Sequence, residues 1–386
     1  MNKRVLIATL IATFLVISNY TIVLSQLFDS VTISSSGSIG YISPLHIEGR
    51  YIKNSNNNVV VLRGFQKHGF EDEPEGKFYD ANLKSYGNIF NEDVVRQNFQ
   101  AMRSWGGNEV RLFFRADFWI NNPTGVTGKH FKDCIKRVIE IAAEEGIYVV
   151  LCGFSIYSGS GWHDLPWNNG LFSTIDGFAN FWKGIASELK GYPNVLFELW
   201  NEVTGNQNEW CEGVNATIRA IRQVANQIII VQYNWDVWVR YNQHAGVYGL
   251  DSWVTDTRIQ GSNILFSTHM YQDARGIWKE DDVESFLWEY DDVKQAFIEE
   301  SVQWLLNDFQ KPLYIGEYGP WAVEPGMPKD NVWVSSENGL KILDEWGVSY
   351  NVMWWWPYNP SDGEYALHST NFSPTSWGQI VQRVLP

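Results

Sequence analysis

Two glutamates in this chain each lie at the end of an apolar run. Residues 194–203 read NVLFELWNEV and contain Glu202, and residues 311–320 read KPLYIGEYGP and contain Glu317. An ionised carboxylate at the end of a buried strand loses its hydration, so it needs a partner or a chemical role. Paired carboxylates perform glycoside hydrolysis, in which one protonates the leaving oxygen and the other attacks the anomeric carbon. The two glutamates are therefore candidate catalytic residues; the alternative is that they belong to structural ion pairs.

Polar residues near the ends of other apolar runs could serve the same chemistry. Arg111 could keep a neighbouring carboxylate charged, Tyr271 could donate a hydrogen bond to it, and Asn201 could hold the 2-hydroxyl of a sugar. The structural alternatives are that Arg111 is a buried partner of Glu317 and that His269 is an ordinary core histidine. We expect both residues to belong to the site, because they lie towards the C-terminal ends of predicted strands, where α/β barrels carry their catalytic residues.

Tryptophans form a second group of candidates. Residues 354–356 are three consecutive tryptophans, and neighbouring side chains of a strand point to opposite faces, so at least one of them is expected in the core. Trp356, nearest the strand end, is predicted to bind substrate. Of the 20 Trp, 18 Tyr and 21 Phe residues, more than half are expected to pack in the core. Six tryptophans in predicted loops after strands could stack on sugars: Trp162, Trp167, Trp210, Trp235, Trp238 and Trp321.

The elements that would position these residues alternate between strand and helix. The strands read as continuous apolar runs, which is typical of a parallel sheet buried on both faces. The runs are 59–65, 108–114, 146–154, 194–200, 227–233, 263–271, 312–318 and 349–356. The intervening helical patterns are 92–105, 129–145, 175–190, 211–225, 291–308, 336–346 and 375–384.

Eight strands separated by helices predict an α/β fold, a (β/α)8 TIM barrel. The Asn-rich segment NSNNN, residues 54–58, indicates a short N-terminal β-hairpin that could close the bottom of the barrel. A doubly wound open sheet is the alternative, but no Gly-rich phosphate loop follows any of the strands.

Composition and the N-terminal segment define the rest of the organisation. Lys3 and Arg4 precede an apolar stretch at residues 5–24, so residues 1–25 are predicted to be a signal peptide or a membrane anchor. Residues 26–40 are predicted to be a polar tether, and residues 41–386 a catalytic domain. The net charge of −15 and the lack of basic clusters argue against nucleic acid as a partner. The three cysteines and the histidines show no zinc-site spacing.

The strand-end residues, taken in order, resemble glycoside hydrolase family 5. This family contains cellulases and mannanases, which are retaining enzymes with a (β/α)8 barrel. The segment 45–65, LHIEGRYIKNSNNNVVVLRGF, resembles the family's lead-in to its first strand, Asn201-Glu202 resembles its Asn-Glu pair, and GEYG around Glu317 resembles its nucleophile motif. The resemblance spans roughly residues 45–386 and implies that Glu202 is the acid/base and Glu317 the nucleophile.

The resemblance extends to four further residues. Arg111 matches the arginine of the second strand, His269 and Tyr271 match the pair of the sixth strand, and Trp356 matches the tryptophan under the −1 subsite. All four are therefore expected to bind substrate or to support the catalytic pair.

Two positions depart from the family pattern. Val203 follows the acid/base where the family usually has proline, and Phe154 ends the third strand where the family has a histidine. A histidine from a loop, His68 or His163, could take the missing role, and His68 is the better candidate.

We therefore predict a retaining β-glycanase, an endo-β-1,4-glucanase (cellulase) acting on a polysaccharide or oligosaccharide without metal or cofactor. The alternatives are action on mannan, xyloglucan or a β-1,3/1,4-glucan, glycosyl transfer to another sugar, and a non-catalytic carbohydrate-binding barrel. We expect a secreted monomer that contacts a membrane only if the N-terminal segment is retained.

Overall fold

The described part of the chain belongs to one unit. The structure, a computed structural model, describes residues 42–67, 69, 90–124, 128–154, 164–168, 170–203, 205–232, 259–271, 289–294, 306–307, 310–320, 329–355, 366–369 and 371–386. All of them lie in the unit Gly40–Pro386, and the predicted export segment and tether lie outside the described residues. No helix within the described ranges is long and apolar enough to cross a membrane.

Eight parallel strands form a closed barrel, as predicted. They are β3 (Arg63–Lys67), β4 (Glu109–Arg115), β5 (Tyr148–Phe154), β6 (Val195–Glu198), β7 (Ile229–Gln232), β8 (Ile264–Tyr271), β9 (Leu313–Gly319) and β10 (Ser349–Val352). Each pairs with its neighbours in chain order, and β10 pairs with β3 to close the ring. Because all eight are parallel, their C-terminal ends meet at one mouth of the barrel.

Helices follow the strands around the outside. They are α1 (Glu92–Ser104), α2 (Ala116–Asn121), α3 (Phe131–Glu144), α4 (Ile175–Leu189), α5 (Gln207–Arg222), α6 (Tyr290–Lys294), α7 (Lys329–Glu345) and α8 (Ser376–Val384). Side-chain oxygens of Asn91, Thr174, Asn206 and Thr375 accept hydrogen bonds from backbone N–H groups at the starts of α1, α4, α5 and α8. These caps fix where the helices begin.

A two-stranded antiparallel sheet covers the other end of the barrel. β1 (Leu45–Glu48) and β2 (Tyr51–Asn54) form the predicted hairpin. Leu45 and Ile52 pack against the inward-facing residues at the N-terminal ends of the barrel strands. The Tyr148 hydroxyl donates to the Ser43 carbonyl at 2.8 Å, which ties this cover to β5. The hairpin therefore closes the bottom of the barrel and leaves the mouth for chemistry.

The chain reverses twice in this region. It turns at Gly49 and Arg50 between β1 and β2, and again at the Asn-rich segment, as predicted, where Lys53 and Val59 form an antiparallel bridge. Because Val59 pairs with Lys53, the first barrel strand begins at Arg63 and not at Val59 as predicted.

Inward and outward side chains alternate along the barrel strands. On β4, Val110 and Leu112 pack towards the helices, whereas Glu109 and Arg111 lie in the barrel. In β9 the alternation shifts by one residue, because Thr268 pairs with Ile315 while His269 pairs with Glu317. The residue skipped by this bulge is Gly316, where a Cβ would lie 2.8 Å from the Ser267 hydroxyl. The bulge turns the next carboxylate, that of Glu317, into the barrel.

Candidate active site

Tryptophan N–H groups hold the strand ends that carry the site. Each of three buried rings donates to a backbone carbonyl at or just after the end of a strand: Trp182 to Leu199 (3.0 Å), Trp210 to Gln232 (3.1 Å) and Trp377 to Met353 (2.8 Å). A buried indole N–H needs an acceptor, and these carbonyls supply one at the point where the hydrogen bonds between neighbouring barrel strands end. Part of the aromatic excess is thus explained by anchoring of the barrel mouth.

Arg111 is the centre of the buried polar network. Its Nε donates to Glu198 Oε2 at 2.6 Å and its Nη2 to Glu198 Oε1 at 3.0 Å, a two-pronged contact. Nη1 donates to Glu317 Oε1 at 2.7 Å and to Gln66 Oε1 at 2.7 Å, and Nη2 also reaches Asn201 Oδ1 at 2.8 Å. The guanidinium is fully buried, and its positive charge compensates the negative charges of Glu198 and Glu317 within the barrel.

An apolar layer formed by residues of β4 and β5 lies beside Arg111. The guanidinium lies 4.8 Å from the centre of the Phe113 ring, and Phe113 stacks on Phe154 at 5.5 Å. Cys152, also buried, receives a contact from Nη2 at 3.3 Å, and burial raises the pKa of its thiol well above the ordinary value. Phe154 therefore fills the position of the family's histidine with a buried ring that stacks on Phe113.

Glu317 is held through one of its two oxygens. Oε1 accepts from Arg111 at 2.7 Å and from Gln66 Nε2 at 3.0 Å. Oε2 lies 3.3 Å from His269 Nδ1. Two donors at Oε1, one of them cationic, stabilise the ionised form of this carboxylate.

Glu202 has the opposite environment. Burial and, second, the nearby charge of Glu317 raise the pKa of Glu202 well above its ordinary value, against the opposing effect of Arg111. Its backbone has φ of 47°, in the left-handed region that non-glycine residues rarely adopt. The backbone N–H donates to Gln232 Oε1 at 2.7 Å, which fixes this conformation. A carboxylic acid that keeps its proton near neutral pH is what a general acid requires.

The two glutamates and His269 form one cluster. His269 Nδ1 lies 2.8 Å from Glu202 Oε1, and Nε2 lies 2.8 Å from Gln232 Nε2. One oxygen of Glu202, one of Glu317 and a ring nitrogen of His269 all lie within 4.8 Å of one another. Retaining hydrolysis uses carboxyl groups about 5–5.5 Å apart, whereas inverting enzymes separate them by about 6.5–9.5 Å to admit water. The spacing therefore fits the retaining geometry.

The same three side chains could in principle hold a metal ion. Their mutual hydrogen bonds and the cation of Arg111 already account for their proximity. The expectation that the reaction uses no metal stays a prediction.

The structure brings four of the six predicted site residues besides the glutamates into this cluster or beside it. Arg111, Asn201 and His269 contact one another or the carboxylates directly, and the backbone of Tyr271 pairs with Gly319 at the end of the same two strands. His68, His163 and Trp356 lie outside the described residues. Trp355 is fully buried and donates to Asn98, so at least one of the three consecutive tryptophans is core, as predicted.

Two tryptophans predicted to be possible sugar platforms are not exposed. Trp210 is 1% exposed on α5, and Trp167 is 8% exposed and stacks on it with ring centres 6.0 Å apart. Their rings pack in the core, so this interpretation was wrong for both. Trp162, Trp235, Trp238 and Trp321 lie outside the described residues. Val203, at the usual proline position, is fully buried in the core.

Sequence reasoning missed three polar residues of the network: Gln66, Glu198 and Gln232. All three are buried at inward positions of barrel strands. Gln232 carried a readable signal, because it ends the apolar run QIIIVQ just as Glu202 and Glu317 end theirs.

Comparison with known proteins shows the family. The model of the family described as Cellulase (glycosyl hydrolase family 5) matches residues 55–360. The chain belongs to glycoside hydrolase family 5. Family membership confirms the resemblance on which the assignments of Glu202 and Glu317 rest.

Individual relatives are distant. An endoglucanase of Clostridium saccharobutylicum is 26% identical over 234 residues, which cover 59% of this chain and 43% of that protein. Endoglucanase MaCel5A of Microbulbifer sp. (strain ALW1) is 23% identical over 344 residues, which cover 86% of this chain and 55% of that protein. The chain spans about half the length of these relatives.

Solved structures share the fold. An endocellulase from Pyrococcus horikoshii has a TM-score of 0.63 and 18% identity, with 90% of this chain and 100% of that chain covered. The catalytic domain of a mannanase from Streptomyces sp. SirexAA-E has a TM-score of 0.58 and 20% identity, with 92% and 94% covered. At these identities the likeness establishes the barrel alone.

Proposed function

We propose that this protein is a retaining β-glycanase that cleaves internal β-1,4-glycosidic bonds, as an endo-β-1,4-glucanase. The observation that carries the proposal is the pair Glu202 and Glu317, with carboxylate oxygens within 4.8 Å at the mouth of the barrel. The two environments differ in the sense the chemistry needs, since Arg111 favours the ionised form of Glu317 and burial favours the protonated form of Glu202.

The first step transfers the glycosyl unit to the protein. Glu317 Oε2 attacks the anomeric carbon while Glu202 gives its proton to the departing oxygen, so the glycosidic bond breaks as a glycosyl ester forms. Oε1 remains held by Arg111 and Gln66 and orients the attack. Arg111 also engages Asn201 Oδ1, so the amide Nδ2 of Asn201 is the group that would donate to the sugar 2-hydroxyl.

The second step releases the sugar. Glu202, now ionised, takes a proton from water as the water oxygen attacks the anomeric carbon and displaces Glu317. Both glutamates return to their starting protonation states. Each attack inverts the carbon, so the product retains the β configuration.

The substrate assignment rests on the named activities of the relatives. Both relatives described above are endoglucanases, which favours a β-1,4-glucan. Mannan is the second candidate, because mannanases occur among the solved structures with the same fold. The basic and apolar N-terminal segment supports export, and we propose a monomer acting outside the cell.

The experiment that tests this function is product release from a panel of polymers. The purified chain is incubated with a soluble cellulose derivative, mixed-linkage glucan, xyloglucan and mannan, and the products are separated by chromatography. We expect oligosaccharides from the β-1,4-glucan and none from Glu317→Gln. Glu337→Gln is the matched control, because this partly exposed glutamate on α7 pairs with Arg383 and Lys341 away from the site. Release of products from mannan alone would show that mannan, and not a β-1,4-glucan, is the substrate. Equal product release by Glu317→Gln would refute the mechanism.

A further inference from the structure

The feature that extends this account is the side chain of Gln232, which closes β7 beside the catalytic cluster. It is 2% exposed and bonds to two members of the site through its two different amide atoms. Oε1 accepts from the backbone N–H of Glu202 at 2.7 Å, and Nε2 lies 2.8 Å from His269 Nε2.

The orientation of this amide follows from the chemistry of its first partner. A backbone N–H is only a donor, so the atom of Gln232 that faces it must be the oxygen. The other amide atom is then the NH2 group, which is only a donor and points at His269 Nε2. That ring nitrogen must accept, and it therefore carries no proton.

The consequence reaches the other ring nitrogen. A neutral imidazole with an unprotonated Nε2 carries its proton on Nδ1. Nδ1 lies 2.8 Å from Glu202 Oε1 and 3.3 Å from Glu317 Oε2, so its proton points between the two carboxyl groups. A doubly protonated ring would set an N–H against the NH2 group of Gln232, which disfavours that form.

We propose that Gln232 is a positioning residue that locks His269 in the neutral Nδ1–H tautomer and thereby places the catalytic proton of Glu202 on Oε2. Oε1 accepts the hydrogen bond from the imidazole, so the oxygen that carries the acid proton is the other one. Gln232 touches neither the substrate nor the reacting atoms; it acts through the ring of His269 and the backbone of Glu202. The consequence for Glu202 rests on its proposed acid/base role, whereas the tautomer does not.

The direct test is nitrogen NMR of the intact protein labelled with 15N-histidine. The chain has seven histidines, and the signals of His269 are assigned by their loss in His269→Gln. We expect a protonated, pyrrole-type Nδ1 and an unprotonated, pyridine-type Nε2 at neutral pH. A protonated Nε2 in the wild-type protein would overturn the proposal without any assay of activity.

The variant Gln232→Glu tests the causal role. A carboxylate can still accept from the Glu202 N–H but cannot donate to Nε2, so the ring must gain a second proton to bond to it. Both nitrogens of His269 should then give pyrrole-type signals. An unchanged spectrum would show that Gln232 does not set the tautomer.

The same variant has a kinetic signature. Among the described residues, the charged groups that face His269 are the carboxyls of Glu202 and Glu317, with Arg111 and Glu198 behind Glu317. A cationic ring nearest Glu202 favours its ionised form, so the alkaline limb of the kcat/KM profile should move down by about one pH unit. Gln227→Glu is the matched control, since Gln227 lies before β7 at the opposite end and bonds to the Leu189 carbonyl. A pH profile unchanged in Gln232→Glu, or shifted equally in both variants, would refute the link to catalysis.

Discussion

Glu109 lies on the inner face of β4 and is fully buried, below the cluster of Glu202, Glu317 and His269. Tyr314 donates to its Oε1 at 3.2 Å, and Asn351 donates to its Oε2 at 3.0 Å. Burial raises its pKa to about 8, because these two hydrogen bonds offset only part of the lost hydration. Glu109 is therefore protonated in the folded protein at neutral pH.

A second observation agrees with the protonated form. The side-chain oxygen of the same asparagine, Asn351 Oδ1, is buried and has no hydrogen-bond partner among the described residues. Half a turn of the amide brings this oxygen to Oε2 of Glu109. A protonated carboxyl can donate to it there, and a glutamine at position 109 could do the same.

This predicts a loss of stability as the pH rises. An ordinary glutamate has a pKa of 4.5, which we take for the unfolded chain, whereas the pKa of Glu109 in the folded chain is about 8. Its contribution is thus fully present below about pH 4.5 and is lost as the pH rises through about 8. The difference of about 3.5 pKa units corresponds to at most about 5 kcal/mol of unfolding free energy. Glu109→Gln keeps the shape and removes the titration.

The assay is urea unfolding of the wild type and Glu109→Gln at a series of pH values from 5 to 9. The titration of groups that both proteins share cancels when their unfolding free energies are subtracted. The unfolding free energy of the wild type should fall by several kcal/mol relative to that of the variant across this range. Glu188→Gln is the flat control: pairing with Lys136 and Lys132 outweighs partial burial and lowers the pKa of Glu188 from 4.5, so this group does not titrate between pH 5 and 9 and its difference from the wild type should stay constant there. A difference for Glu109→Gln that stays constant within about 1 kcal/mol would refute the argument.

Three further outcomes follow from the site. Glu202→Gln should lower kcat on polysaccharide by about 10²–10⁴-fold, and less on aryl glycosides whose leaving group needs no proton; an equal loss on both, measured by initial rates, would contradict the acid role. Arg111→Met should cost about 3–5 kcal/mol of unfolding free energy, because Glu198 and Glu317 would be buried without their cation; urea unfolding that shows less than about 1 kcal/mol would count against this network. Trp210→Phe should cost about 1–3 kcal/mol in the same assay, because the carbonyl of Gln232 loses its donor, and an unchanged midpoint would show that this anchor contributes nothing.

The barrel and the places of Glu202 and Glu317 at its mouth were predictable because they depend on local patterns. Continuous apolar runs separated by helical periodicity specify a parallel sheet, and a carboxylate at the end of such a run is visible in the sequence. The buried position of Trp210 was not predicted, because the helix expected to begin at residue 211 begins at residue 207, after its cap at Asn206. That shift of four residues moves Trp210 from a loop into a buried helix face.

The polar network was harder to predict because its contacts cross the barrel. Glu198 precedes Glu202 by four residues, yet its partner Arg111 is 87 residues away in the chain. The bulge at Gly316, which turns Glu317 inward, depends on the register between β8 and β9 and not on the composition of either strand. Such pairings are fixed only once the strands close into a ring.

The measurement that tests the central claim most directly is the configuration of the first product. Proton NMR of a β-linked oligosaccharide during the first minutes of cleavage distinguishes the β anomer from the α anomer before they interconvert. Because one oxygen of Glu202 lies within 4.8 Å of one oxygen of Glu317, we expect the β anomer to appear first. Initial release of the α anomer would show a single displacement by water and would contradict the assignment of Glu317 as the nucleophile.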